Sequence, residues 1–228
     1  MWTITTDRYV GFIDVMGFKD MVMRSSHDDI YRMMKVIDEA KTLNENLSSR
    51  EDHELIRSTT YSDSIMLYTK DDTDESLGAL IEVISGLTND LFIEGIPHKG
   101  SIAYGKMTLD TERSIFFGQP LIDAYLLQEE LYFYGIIVHG SAEEKLEKRL
   151  IQYPFVTKYN CPLKKGKSIH FTIYPMHIES KSAESSDYSR HHQNIFISLE
   201  KMKFKTSGYL RQYIDNTDSY FKYVSNKN

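Results

Sequence analysis

The chain has 228 residues, 41% of them hydrophobic, which is enough for one domain with a sizeable core or a domain with an appendage. Its 27 Lys and Arg stand against 33 Asp and Glu, a net charge of −6, which argues against binding a nucleic-acid polymer, since that needs a basic face. The single cysteine, Cys161, excludes an internal disulfide and a thiolate metal cluster and fits a reducing compartment. The N-terminal sequence has no basic region followed by an apolar core, and no apolar run approaches the roughly 18 residues of a membrane span. The expectation is a cytoplasmic protein with no membrane contact.

Tyr9 to Val15 is a short apolar run that reads as a buried strand, with Asp14 inside it. Ser26 to Asp29 supplies helix-start chemistry, and Ile30, Met33, Met34 and Ile37 recur at helical spacing toward Leu47. Glu54–Thr60 and Ser64–Thr69 read as two strands joined by Tyr61-Ser62-Asp63. A helix opens at Asp74, carries Leu77, Leu80, Ile81, Ile84 and Leu87 on one face, and ends near Gly95. A strand at His98–Lys106, a short strand at Ser114–Phe117 and a helix at Leu121–Leu131 follow. The order strand, helix, strand, strand, helix, strand is the split ferredoxin-like arrangement, so the fold class is α+β.

The chain then predicts a strand at Gly135–Val138, a helix from Ser141 to Leu150, and a hairpin of Phe155–Leu163 and Ser168–Tyr174 turning at Lys164-Lys165-Gly166-Lys167. Residues 179–193 are polar and nearly free of large aliphatic side chains, which predicts a mobile loop. Ile195–Val224 is helical by pattern, with a break at Ser207-Gly208. The predicted organisation is a domain over residues 1–178, the loop, and a helical extension over 194–228 packed on the same domain.

Three elements carry chemistry. Asp14 ends the first strand, and Asp63 sits in the following hairpin turn. In a βαββ unit these positions become neighbours, and two adjacent carboxylates repel unless a proton or cation separates them. Mg²⁺, which takes carboxylate and phosphate oxygens, answers that need; the plain alternative is a strand-end cap and an ordinary turn residue. Lys164-Lys165-Gly166-Lys167 offers cations to a triphosphate, or is a solvated basic turn. Gly118 permits close approach of a ligand, or marks a strand-to-helix turn with Pro120 at the helix start. The eight histidines show no metal-ligand spacing, and the many Tyr and Phe residues read as core and dimer surface.

In family order, these segments resemble the class III nucleotidyl cyclases. FIDVMGF resembles the first metal-binding segment, and Tyr61-Ser62-Asp63 stands at the Gly-Asp hairpin. KGSIAYG (99–105) resembles the Gly-Ile-x-x-Gly strand, FFGQPLIDAYLLQEE the Gly-x-x-Val-Asn-x-Ala-x-Arg-Leu segment, and LKKGKSIHFTIY the closing Lys-Gly-Lys hairpin. The match runs from Tyr9 to Tyr174. Ile122 stands where the family has its ribose-orienting Asn, Leu126 where it has the transition-state Arg, and Thr59 and Ile115 at the base-selecting positions. Thr59 and Ile115 fit neither the adenylate nor the guanylate pattern.

With an FGxPLIDAY-like segment, the chain resembles the pyrimidine cyclases of phage defence, the Pycsar group. That resemblance implies UTP or CTP as substrate, with UTP favoured, and cyclic UMP or cyclic CMP as the signal to a separate effector. It implies two Mg²⁺ or Mn²⁺ ions held by Asp14, Asp63 and the Ile13 carbonyl, a base read by Thr59, Tyr61 and Ile115, and phosphates held by Lys165 and Lys167. It also implies a homodimer with sites at the interface. A purine cyclase with rearranged base contacts and a non-catalytic nucleotide-binding domain stay open. A diguanylate cyclase relative lacks support, because no Gly-Gly-[Asp/Glu]-Glu-Phe motif occupies the hairpin.

Overall fold

The computed structural model describes residues 2–48, 54–148, 155–176 and 185–226. In chain order the elements are β1 (Thr5–Val15), α1 (Phe18–Arg24), α2 (His27–Ser48), β2 (Ile56–Tyr61), β3 (Ser64–Thr69), α3 (Asp74–Ile93), β4 (His98–Asp110) and β5 (Ile115–Gly118). They continue as α4 (Gln119–Glu130), β6 (Gly135–Val138), α5 (Gly140–Glu147), β7 (Val156–Leu163), β8 (Gly166–Ile173), α6 (Ser185–Lys205) and α7 (Tyr209–Ser225). The eight strands form one sheet in the order β2-β3-β1-β4-β6-β8-β7, with β5 pairing the far end of β4. This is the mixed α+β fold expected, and β1 lies at its centre, antiparallel to both β3 and β4.

Side chains alternate across β1. Tyr9, Gly11, Ile13 and Val15 face α3, while Val10, Phe12 and Asp14 face α4. Helix α3 starts at Thr73, whose hydroxyl accepts from the Ser76 N–H, and carries Asp74 and Glu75 in its positive first turn. It stops at Gly95, whose φ of +71° suits glycine. Helix α2 crosses α3 so closely that a Cβ on Gly86 would lie 1.7 Å from Asn44 Oδ1. By length and composition α3 is apolar enough to cross a membrane, with mean hydropathy 1.3, but 83% of that window is buried inside the fold.

Three expectations need correction, and the reading of Gly118 as a strand-to-helix turn holds. The turn after β1 holds an additional short helix, α1, begun by Gly17 at φ +79°; its seven residues are too few to show a period. Gly118 is required by packing: a Cβ there would lie 2.5 Å from the Lys106 carbonyl oxygen and 2.8 Å from Met107 Cα. From Ser185 the polar 179–193 stretch is helix, the first part of α6, because lack of apolar residues removes the periodic signal without removing helix propensity. Residues 179–184 lie outside the described residues, as do 149 and 150 at the end of the helix expected from Ser141. In the closing hairpin, Gly166 and Lys167 already belong to β8, so Lys164-Lys165 alone make the turn.

Helix α7 closes the end of the sheet. Phe221 packs edge-on to Phe92 of α3, and Tyr220 against Tyr159 of β7 and Phe133. Thr217 Oγ1 accepts from the Tyr134 N–H at 2.7 Å, and Asn216 Nδ2 donates to the Tyr132 carbonyl at 2.7 Å. The segment joining α4 to β6 is therefore pinned from the C-terminal side.

Candidate active site

Asp14 lies in register with Ser64 on β3 and with Lys99 on β4. The β2–β3 turn is two residues, Ser62 and Asp63, with Ser62 at φ +56°. The Val15 N–H donates to the Asp63 carbonyl at 2.8 Å. The first strand and the hairpin thus bring the two predicted carboxylates to one strand end. Burial, then the Asp63 charge, pushes the Asp14 carboxyl up to about 6, against the opposing pull of Lys99 and Lys164. Among the described residues no cation lies within 4 Å of the Asp14 carboxylate.

A carboxylate pair without a close cation suits a hard divalent ion. Among the described residues no group of three or more His, Cys, Asp or Glu side chains could hold a metal. The protein's part would be two carboxylates, with remaining oxygens drawn from backbone, water and phosphate, the usual manner for Mg²⁺. The expected third ligand, Ile13, is fully buried and paired with Ile65. The Val15–Asp63 hydrogen bond fixes which β1 residues exchange backbone hydrogen bonds with β3; by alternation Ile13 is one, so its carbonyl is turned into the ladder.

The other predicted residues separate. Thr59 and Tyr61 share the Asp14 face of the sheet through their register with Met66 and Ser64. Thr59 lines a cavity of about 360 Å³ with Trp2, Arg57, Tyr68 and Phe116. The Tyr68 phenol is pushed up to about 12 by burial, against a hydrogen bond to Thr59. Arg57 lies over the Trp2 ring at 4.5 Å and is held by Glu54 at 2.8 Å. Tyr61 is exposed at the hairpin, and Ile115, also exposed, sits on β5 beside Phe116. Neither lines that cavity. Lys165 and Lys167 are exposed on the β7–β8 hairpin.

Three charged residues surround Asp14: Lys164 of the basic turn, and Lys99 and Glu129, which were not singled out from sequence. Lys99 has a side chain only 3% exposed; its ammonium lies 3.9 Å from the Glu129 carboxylate, and Lys164 lies 3.6 Å from the other Glu129 oxygen. Burial pulls the Lys99 pKa down. Tyr213 of α7 borders the same group: burial pushes its phenol up to about 12, with Tyr132, Glu129 and Asp14 adding to the effect. Counting antiparallel register outward from Asp14 would have found Lys99.

No protein-family model and no curated protein sequence matches the chain. Solved structures do. A bacterial light-regulated adenylyl cyclase aligns with TM-score 0.51 and 12% identity over 85% of this chain and 98% of its own. The catalytic core of a rhodopsin-guanylyl cyclase with converted specificity, in complex with ATPαS, aligns with TM-score 0.52 and 13% identity over 76% and 99%. An adenylate/guanylate cyclase/hydrolase from Silicibacter pomeroyi gives TM-score 0.52 and 14% identity over 75% and 98%. The chain therefore has the fold of the class III nucleotidyl cyclase catalytic domains.

Proposed function

We propose that the chain is a nucleotidyl cyclase that converts a nucleoside triphosphate, with UTP favoured over CTP, to its 3′,5′-cyclic monophosphate and pyrophosphate. The observation that carries this reading is the convergence of Asp14 and Asp63 at one strand end, with no ion pair at Asp14, near the buried ammonium of Lys99. Two divalent cations, Mg²⁺ or Mn²⁺, would neutralise polyphosphate charge there and acidify the ribose 3′-hydroxyl. Asp14 and Asp63 are the residues that hold them. For the backbone ligand, the Val15 carbonyl at the open strand end replaces Ile13, whose carbonyl the ladder uses.

Lys99 and Lys164 lie on the side where phosphate charge would sit, and fixed cations there cost no reorganisation during reaction. The 3′-oxygen attacks the α-phosphorus, its proton passes to solvent, and the bond to pyrophosphate breaks. Lys165 and Lys167, free on their hairpin, would reach the phosphates of a second copy in a two-fold dimer. The base would enter the cavity beside Thr59, where the Thr59 hydroxyl and the Arg57 guanidinium offer hydrogen bonds to a pyrimidine edge. Tyr61 and Ile115 would then act only from a partner's side of that cavity. Signalling to a separate effector in antiviral defence rests on the resemblance of the FGxPLIDAY-like segment.

A purine reading is supported by the neighbours, which are adenylyl and guanylyl cyclases. One assay separates the readings: each of the four nucleoside triphosphates incubated with Mn²⁺ and the products identified by mass. Cyclic UMP or cyclic CMP is expected. Cyclic AMP or cyclic GMP keeps the mechanism and replaces the base. No cyclic product from any of the four overturns the proposal. Asp63→Ala should lose at least about 10²-fold of the turnover with an unchanged circular dichroism spectrum.

A further inference from the structure

Lys99 poses an unusual electrostatic problem. It stands directly opposite Asp14 on the neighbouring strand and its side chain is only 3% exposed. Opposite charges in such a cross-strand position ordinarily pair. Here the ammonium turns to α4 instead, lying 3.5 Å from the Glu129 carbonyl oxygen and 3.9 Å from its carboxylate. Lys164 approaches the same carboxylate to 3.6 Å. These separations exceed the 2.7–3.2 Å of a good N–H···O bond, so both ammonium groups keep donors in hand.

Glu129 does not depend on those lysines for its place. The Lys164 N–H donates to the Glu130 carbonyl at 2.8 Å, and the Tyr132 N–H to the Pro162 carbonyl at 3.0 Å. Leu131 bridges to Leu163. On the other side Asn216 and Thr217 of α7 hold Tyr132 and Tyr134. Gln128 Nε2 also donates to Glu129 Oε1 at 3.2 Å. The carboxylate is carried on a backbone clamped between the basic hairpin and α7.

We propose that Glu129 is a positioning residue that draws Lys99 away from Asp14, gathering Lys99 and Lys164 into a cradle for a polyphosphate while leaving the Asp14 carboxylate open. The identity of that ligand as a nucleotide's triphosphate rests on the cyclase reading; the arrangement itself does not. Without Glu129 the buried ammonium is left with its cross-strand partner Asp14, and Lys99 would close the site it now serves.

The sign of one measurement decides this. Inorganic tripolyphosphate is titrated calorimetrically, at saturating Mg²⁺, into wild type, Glu129→Gln, Lys99→Met and the double variant. A simple charge effect predicts tighter anion binding on removing a carboxylate. Positioning predicts weaker binding in Glu129→Gln, by about 5- to 10-fold, and in the Lys99→Met background only the smaller loss that comes from releasing Lys164, so the double variant falls short of additivity. Tighter or unchanged binding in Glu129→Gln, additive losses in the double variant, or no binding to wild type would each overturn the proposal. Near-ultraviolet circular dichroism checks that the variants keep their tertiary packing. If wild type cyclises no nucleotide, the cyclase reading falls, while the tripolyphosphate titration still judges Glu129.

Discussion

The two faces of β1 are built on different principles. On one, Tyr9, Ile13 and Val15 meet α3, sixteen of whose twenty residues are buried. On the other, Val10 and Phe12 meet α4, which buries only Pro120, Ala124 and Gln128 of its twelve and presents Ile122, Tyr125 and Leu126 to solvent. The first face is a closed core. The second is thin, carries Asp14, Lys99 and Glu129 at one end, and leaves apolar surface uncovered. Stability should reside on the α3 face and chemistry and assembly on the α4 face.

The largest expected effect tests the first half of that division. Leu80 is fully buried in α3, and Leu80→Ala should cost about 2–5 kcal/mol in denaturant unfolding, as core truncations to Ala do. Leu126 is 56% exposed, and Leu126→Ala should move the unfolding free energy of the isolated chain by less than about 0.5 kcal/mol. Similar losses at the two positions would break the comparison.

Acid should act on the two faces in opposite senses. His98, fully buried against Phe92 with Nδ1 2.8 Å from the Ile96 carbonyl oxygen, is pushed by burial down to about 4. A histidine depressed in the folded state contributes stability that is present above its unfolded value near 6.5 and lost as pH falls toward 4, about 3 kcal/mol in all. Asp14 is raised to about 6; its ionisation destabilises the metal-free fold as pH rises from about 4 to 6, by about 1–2 kcal/mol once solvent screening is allowed for. Metal-free Asp14→Asn should therefore be more stable than wild type at pH 7.5, with the difference vanishing near pH 4. Urea unfolding at both pH values reads this directly, and equal stabilities at pH 7.5 would remove the electrostatic strain assigned to Asp14.

The closed face was the legible one in the sequence. Apolar periodicity announced α3, and the apolar run of β1 made Asp14 conspicuous as a lone carboxylate within it. Asp63 followed from the hairpin, since a two-residue turn between strands must lie near the preceding strand's end. Lys99 and Glu129 did not stand out. Pro97-His98-Lys99-Gly100 reads as the polar start of a strand, and Gln128-Glu129-Glu130 as a solvated helix end. What gives each its role is a partner about thirty or more positions away, set by sheet register and by the clamp of α7 on the α4–β6 connection. Periodicity reports which side of an element is dry; it carries no information about which charge meets which.

The smallest effect on the isolated chain is expected where the change in assembly is greatest. Ile122, Tyr125 and Leu126 are 53%, 47% and 56% exposed on one side of α4, with Phe117 of β5 at 61% and Tyr61 of the hairpin at 77%. Large apolar side chains scattered singly on a surface need no explanation, but a group of them marks an interaction site. In the resemblance, two of these positions, Ile122 and Leu126, hold polar groups that work on the nucleotide; here they are apolar, which suits a buried contact between two copies. Leu126→Asp places a charge beside Ile122 and Tyr125 on that side of α4. It should leave the unfolding free energy of the monomer within about 0.5 kcal/mol, while sedimentation equilibrium shifts from dimer to monomer because a buried unpaired carboxylate is costly. A wild-type chain that sediments as a monomer at tens of micromolar, or a Leu126→Asp variant that still dimerises, would show that the α4 face is not the surface on which two copies meet.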